Sequence, residues 1–320
     1  MKKVLVLYYS QTGQLTDVVK SIAKPLEEDE KTQVVYQNIE PKKAYPFPWP
    51  YVAFFDVFPE SVYMDGCEIK ACQSIDESTQ YDMVILAYTI WFLSPSLPIS
   101  GFLNSRYASV LKDTPVVTVI ACRNMWIMAQ EKMKVKLKSL GAKLVDNVVL
   151  IDQGGNLATF ITTPRWMWTG KKNAFWGLPK SGVAETEITC ASRFGYALKD
   201  GLSKDLEKTR KPLLSGLSAV QVDNRLIGTE KIAHKSFKIW GGLIRKFGKS
   251  GDKARLPVLG LYFLFLLSLI VIVVPINVLI KPLFRKLNHA KIEKERIYFE
   301  QPSGSGKERL KEYANGECLH

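Results

Sequence analysis

Histidine is scarce in this 320-residue chain, and the three present, His234, His289 and His320, all fall in its C-terminal third. That placement argues against a hydrolase built on a histidine base and against a histidine-ligated metal in the first two thirds. The five cysteines, Cys67, Cys72, Cys122, Cys190 and Cys318, show no metal-ligand spacing. No metal site is expected, and in a cytosolic setting they read as reduced thiols. No Gly-x-Gly-x-x-Gly follows a strand pattern, so an ADP-carrying dinucleotide is not expected. Acidic residues are also thin in one region: residues 231–296 hold fourteen Lys/Arg against three Asp/Glu, which accounts for +11 of the formal +13. The remainder is near neutral. A nucleic-acid binder would carry its positive charge on the folded domain among base-reading groups, so nucleic acid is not an expected partner. With 47% hydrophobic residues the chain can bury a core and is not of the disordered class.

Charge is wholly absent from residues 256–280, of which nineteen are Leu, Ile, Val or Phe. As a helix this run would reach about 37 Å, against a hydrocarbon core of about 30 Å. It is expected to enter a membrane as a transmembrane or re-entrant segment, Pro275 and Asn277 permitting a bend. Residues 236–255 and 281–300 each hold six Lys/Arg, so the positive-inside rule does not choose between the two forms. Upstream, Ile232, Ile239, Trp240, Leu243 and Phe247 lie at helical spacing among Lys231, Lys235, Lys238, Arg245 and Lys246. That pattern reads as an interfacial helix with a basic face for anionic lipid. The apolar run after Met1-Lys2-Lys3 is six residues long, too short for a secretory signal. The expected location is therefore the cytoplasmic membrane, with the preceding domain in the cytoplasm.

The first 210 residues alternate strand and helix patterns, which implies a parallel sheet wrapped by helices. Strands are predicted over 4–9, 32–37, 82–88, 115–121 and 144–151, and helices over 14–24, 97–111, 127–140 and 187–207. The apolar run Val4 to Tyr9 enters the loop Ser10-Gln11-Thr12-Gly13-Gln14-Leu15-Thr16 and then a helix. Backbone N–H groups at a helix N-terminus, two hydroxyls and a glycine form a phosphate cradle.

This loop resembles the phosphate-binding loop of the flavodoxin-like proteins, with Ser10, Thr12 and Gly13 matching its Ser/Thr-x-Thr-Gly core. Leu15 stands where those proteins carry a hydroxyl, so one side-chain bond is lost while the amides of residues 11–15 remain. The stretch Thr89-Ile90-Trp91-Phe92 after the third strand resembles the loop that packs on the flavin, with Trp91 in the place of the flavin-side aromatic. Cys122-Arg123-Asn124 falls where the second flavin loop lies, and Arg123 is the candidate for stabilising negative charge. Gln153-Gly154-Gly155-Asn156 follows the fifth strand and could close over the site. The resemblance implies a doubly wound, five-stranded parallel α/β sheet. It implies FMN held by Ser10, Gln11, Thr12, Gly13, Gln14, Leu15, Thr89, Ile90, Trp91, Phe92, Cys122, Arg123 and Asn124. The organisation that follows is an FMN-binding domain at 1–210, a linker and basic amphipathic helix at 211–255, the membrane segment at 256–280 and a polar basic tail at 281–320.

Aromatics crowd two stretches. Residues 44–63 hold eight and residues 160–176 hold five, both interrupted by prolines that argue against simple helices. Large apolar loops over a flavin suggest an apolar substrate or a membrane-facing mouth. With Phe47-Pro48-Trp49-Pro50 and Phe54-Phe55-Asp56-Val57-Phe58-Pro59, the chain resembles the membrane-anchored flavodoxin-like proteins of bacterial dialkylresorcinol and aryl-polyene pigment pathways. That resemblance implies a flavin-dependent oxidoreductase beside a ketosynthase-type condensing enzyme, aromatising a dialkylcyclohexane-1,3-dione to a dialkylresorcinol. The alternative is a membrane-tethered flavodoxin that carries electrons. No base is assigned; Tyr88 and Tyr9 are candidates only.

Overall fold

The computed structural model describes residues 1–209, 211–269, 272, 288–314 and 318. Continuous apolar runs form strands buried on both faces. Five of them, β1 (Lys2–Tyr8), β2 (Thr32–Asn38), β3 (Met83–Tyr88), β6 (Pro115–Cys122) and β7 (Lys143–Ile151), make one sheet in the order β2-β1-β3-β6-β7. All four pairings are parallel, with Val4 opposite Val34 on one side and Met83 on the other. This is the 2-1-3-4-5 order of flavodoxin-like sheets, whose switch point lies between β1 and β3. Between β3 and β6 a short hairpin, β4 (Ile90–Trp91) and β5 (Ser94–Pro95), stands apart from the sheet.

Helix α1 (Gln14–Glu27) buries Leu15, Val18, Val19, Ile22 and Leu26, an i, i+3/i+4 stripe. Each such side chain contributes about 1.5–3 kcal/mol when taken from water. Against α1 lies α8 (Ser192–Ser203). There Gly195 permits the close crossing, since a Cβ would stand 2.0 Å from the Ile22 carbonyl oxygen. Two predicted helices are broken. The stretch 97–111 becomes α4 (Leu97–Leu103) and a 3-10 helix, Arg106–Leu111, because Asn104 turns its amide to the Met64 and Asp65 carbonyls. The stretch 187–207 becomes α7 (Glu185–Cys190), α8 and a 3-10 turn, Leu206–Thr209. The Arg193 guanidinium takes the Cys190 carbonyl at that break.

Both aromatic stretches are more helical than their prolines suggested. Residues 44–63 contain α2 (Tyr51–Asp56) and α3 (Phe58–Tyr63), and α6 (Asn156–Thr169) runs through Pro164. A proline inside a helix forfeits one hydrogen bond. Packing offsets that loss: Trp166 meets Phe47 edge-on and Trp168 lies against Tyr51. The helix α5 (Ile127–Ser139) fills the crossover between β6 and β7.

The expected amphipathic helix is α9 (Ile227–Arg245), with Ile232 and Ile239 each 72% exposed beside exposed Lys235 and Lys238. Its other side, through Phe237, Trp240 and Ile244, joins Phe58 and Tyr262 in a second apolar cluster. The uncharged run begins as α10 (Leu256–Ser268). Thirteen residues reach only about 20 Å, and no helix among the described residues is long and apolar enough to cross a membrane. The rest of the expected span, residues 270, 271 and 273–280, lies outside the described residues. The stretch read as a polar tail packs back on the domain through α11 (His289–Glu300) and α12 (Leu310–Tyr313). Ser303 Oγ donates to Asp146 Oδ1 at 2.7 Å, and Arg309 reaches the Leu213 carbonyl at 2.9 Å. Two cysteines are not free thiols as expected: Cys190 and Cys318, 128 residues apart, form a disulfide. Only the returning chain brings them together, so no sequence spacing announces the pair.

Candidate functional site

At the carboxyl end of β1 the chain leaves the sheet through Tyr9 to Gly13 and re-enters as α1. Gly13 takes φ +85°, in the left-handed region, and no atom lies within 4 Å of where its Cβ would stand. Among the described residues the N–H groups of Gln11, Thr12 and Gly13 have no hydrogen-bond acceptor. The first N–H groups of α1 add to them, since a helix start leaves these without intrahelical partners. Three unpartnered donors beside the positive end of a helix dipole, with open space at Gly13, suit an anion.

The side chains divide the labour differently from expectation. Thr12 is exposed at the loop tip, and Ser10 Oγ accepts the Thr16 N–H at 3.3 Å while keeping its own proton to donate. Leu15 is 1% exposed and belongs to the core, so it can offer only its amide. Gln11 and Gln14 turn away from the cradle. The Gln11 amide donates to the Pro46 carbonyl and accepts from the Trp49 indole N–H, which ties the aromatic insertion to the loop. Gln14 exchanges two hydrogen bonds with Val183.

The second loop is a strained hairpin. Phe92 and Leu93 take φ +49° and +56°, a two-residue turn that ordinarily selects Asn-Gly. It presents Trp91, but not as an open platform. Trp91 is 8% exposed and enclosed edge-on by Tyr9, Tyr45 and Trp49 at centroid distances of 6.1, 5.0 and 5.3 Å. Phe92 packs on Phe54 and Phe58 instead. Ile90 pairs with Pro95 across the hairpin. Thr89 Oγ1 is buried without a hydrogen-bond partner among the described residues. An orphaned hydroxyl in this position is a group that a polar ligand would satisfy.

The third loop folds onto the fourth. Arg123 is held by Thr159 Oγ1 at 2.9 Å and the Asn156 carbonyl at 3.2 Å, and its guanidinium lies 4.1 Å from the Phe160 ring centroid. These partners are neutral, so they fix the guanidinium in place without cancelling its charge. Burial lowers its pKa to about 10, which leaves it charged at neutral pH. Asn124 donates to Asn156 Oδ1 at 2.8 Å. The Cys122 thiol is pushed up by burial. The loop 153–156 is fixed from below, where Asp152 accepts the Gly154 and Gly182 amides. Tyr88 is buried with its hydroxyl on Gln130 Oε1, and Tyr9 lies in the aromatic box, so neither phenol stands free. Among the described residues no group of His, Cys, Asp or Glu is placed to hold a metal ion.

Sequence reasoning missed the Gln11 tie to the insertion and two buried ionisable groups, Lys132 and Glu230. The lone Glu at the start of a basic helix was the available signal for Glu230. Nothing in its neighbours marked Lys132.

No protein-family profile matches the chain, and comparison with curated proteins returns no match. Solved structures do match in fold. A flavoprotein in complex with FMN from Lactobacillus acidophilus NCFM is 16% identical, covering 47% of this chain and 93% of that one at a TM-score of 0.38. A flavodoxin from the domain Archaea is 11% identical, covering 63% and 99% at 0.33. General stress protein 14 in complex with FMN from Treponema denticola is 11% identical, covering 62% and 99% at 0.32.

Proposed function

We propose that this chain is an FMN-dependent oxidoreductase that works at a membrane on an apolar cyclic ketone. The observation that carries the reading is the cradle: unpartnered amides of Gln11, Thr12 and Gly13, open space at Gly13, and the α1 N-terminus, all at the β1 end of the switch point. These groups fit a monophosphate, and the orphaned Thr89 hydroxyl fits a polar edge of the ring system. When bound, FMN would supply a hydride acceptor. The chain supplies position and exclusion of water through the rings of Tyr45, Trp49 and Trp91.

For the substrate the reading is a dialkylcyclohexane-1,3-dione taken to a dialkylresorcinol, beside a ketosynthase-type condensing enzyme. Two alkyl chains would partition into lipid, and the exposed apolar residues of α9 and α10, set among lysines, suit attachment to an anionic bilayer. The proposed organisation keeps the FMN domain in the cytoplasm, with the uncharged run from Leu256 as the anchor. Full-length protein should resist extraction by salt and carbonate; release by salt alone would assign the contact to the basic residues and remove the anchor. The second reading, a tethered flavodoxin that carries electrons, is favoured by the enclosure of Trp91. Anaerobic mixing of FMN-loaded protein with the dione separates the two. Bleaching of flavin absorbance with formation of a phenol is the expected result, whereas rapid reduction only by a flavoprotein reductase makes the chain a carrier.

A further inference from the structure

A cavity of about 640 Å³ opens on the β7 side of the sheet, and none of its lining residues belongs to the 10–15 or 89–92 loops. It is walled by the 124–127 loop, the starts of α7 to α9 and the Cys190–Cys318 disulfide. Its volume lies within the range of about 300–1,000 Å³ usual for small-ligand sites.

The charged groups of the wall are paired or solvent-exposed, with one exception, although Glu187 Oε2 too is buried without a hydrogen bond and is met only by the Arg193 ion pair. Arg193 donates to the Leu217 and Cys190 carbonyls and pairs with Glu187 at 3.6 Å. Asp223 receives Arg225 and the Asn156 amide. Asp152 holds two backbone amides. Lys307 is solvent-exposed and forms no ion pair among the described residues. Glu230, on α9, is the exception. It is 0% exposed, its Oε1 accepts the Met128 N–H of α5 at 2.7 Å, the adjacent Ile127 N–H also lies against the carboxyl, and Oε2 makes no well-formed hydrogen bond among the described residues. The titratable neighbour across from it is the Cys122 thiol of β6, half-buried, which burial pushes up.

We propose that this cavity binds a small primary amine as its ammonium ion, seated by one N–H on Glu230 Oε2, with its apolar body against Trp126, Val222 and Leu226. The unmet atom is an acceptor, which calls for a donor. It belongs to a carboxyl group with no exposed surface, where a cation supplies both a hydrogen bond and a counter-charge. Oε1 is already occupied, so a single-point ammonium fits and a two-pronged guanidinium does not. A divalent metal is disfavoured because among the described residues no group of three or more His, Cys, Asp or Glu is placed to hold one.

Proton linkage makes the site measurable. Burial raises the carboxyl of the empty site to about 8. An ammonium needs the carboxylate, so binding at neutral pH expels close to one proton, and affinity rises about tenfold per pH unit well below that value and levels off as pH passes it.

The test is calorimetric titration of the full chain with benzylamine, and with benzyl alcohol as the neutral analogue, in phosphate and in Tris at neutral pH. The expected result is saturable benzylamine binding, weaker alcohol binding, and a heat that differs between buffers by one ionisation per ligand. Glu230→Gln keeps the acceptor for Met128, and should weaken benzylamine at least tenfold and abolish the buffer dependence. A thermal melt of the variant checks that it is folded. Equal binding of the alcohol, a buffer-independent heat, or no binding by folded protein would overturn the proposal and leave water as the partner of Oε2. None of these readouts depends on FMN.

Discussion

At Gly13 a side chain would meet two obstacles. The backbone lies at φ +85°, where a Cβ costs about 1–2 kcal/mol, and the space it would enter is the space an anion needs. Gly13→Ala should therefore weaken FMN by about tenfold or more, read from quenching of flavin fluorescence on titration. Thr12→Asp, which places a carboxylate beside the amides, should do at least as much; unchanged affinity in both would dissociate the cradle from FMN. Lys132 shows how burial sets a charge. Its ammonium donates to the Val62 carbonyl and Ser94 Oγ, both at 2.6 Å, pinning the β4–β5 hairpin to α3. Burial, aided by Lys238, lowers its pKa to about 7. The folded value lies below the unfolded value of about 10.4. Between the two the unfolded chain holds a proton that the folded chain lacks, so stability rises with pH from about 7 to 10. Lys132→Met should flatten that slope in urea midpoints taken across the window, whatever its effect on the baseline.

At the scale of elements, the insertion 44–63 joins the phosphate loop to the helices of the uncharged run. Gln11 holds its start, Trp49 and Phe54 cover the hairpin, and Phe58 stacks on Tyr262 of α10 at 4.3 Å. The clamp is Arg255, fully buried, with Glu60 at 2.8 Å, the Asp56 carbonyl at 2.7 Å and the Asp56 carboxylate at 3.2 Å. Removing one member of a buried ion cluster costs about 3–5 kcal/mol because the others stay buried and unpaired. Arg255→Met should lower stability by about 3 kcal/mol in chemical denaturation. A loss below 1 kcal/mol would mean that water reaches Asp56 and Glu60 and that the clamp is a surface pair. The insertion was legible as aromatic and proline-rich, but its pairing with α10 was not, because Arg255 meets Glu60 across 195 residues.

For the whole molecule, the returning C-terminal segment closes the structure. Ser303 completes the buried Asp146 on β7, Tyr313 reaches Asp200 on α8, and Cys318 is bonded to Cys190. A crosslink over so long a loop stabilises by about 2–4 kcal/mol, largely through the unfolded chain. Denatured protein alkylated without reductant should take three labels, on Cys67, Cys72 and Cys122, and five after reduction. Five labels without reductant would show the pair open in the cell, as a reducing compartment favours.

Taken alone, the sequence determined the sheet and where its loops emerge. Val4 to Leu7 and Met83 to Tyr88 are uninterrupted apolar runs, and Val116 to Ile120 is broken only by Thr118, a pattern suited to strands buried on both faces, while Ser10-Gln11-Thr12-Gly13 marks the turn between strand and helix. Such signals are local, carried by neighbours a few residues apart. Tertiary structure decided what those loops face. Trp91 became an enclosed ring because Tyr45 and Trp49 fold over it, Arg123 was drawn to Thr159 and Asn156, and Glu230 was buried beside the α5 N-terminus. Each of these outcomes depends on a partner tens to hundreds of residues away, and no local pattern encodes the distance between two groups that only the packed core brings together.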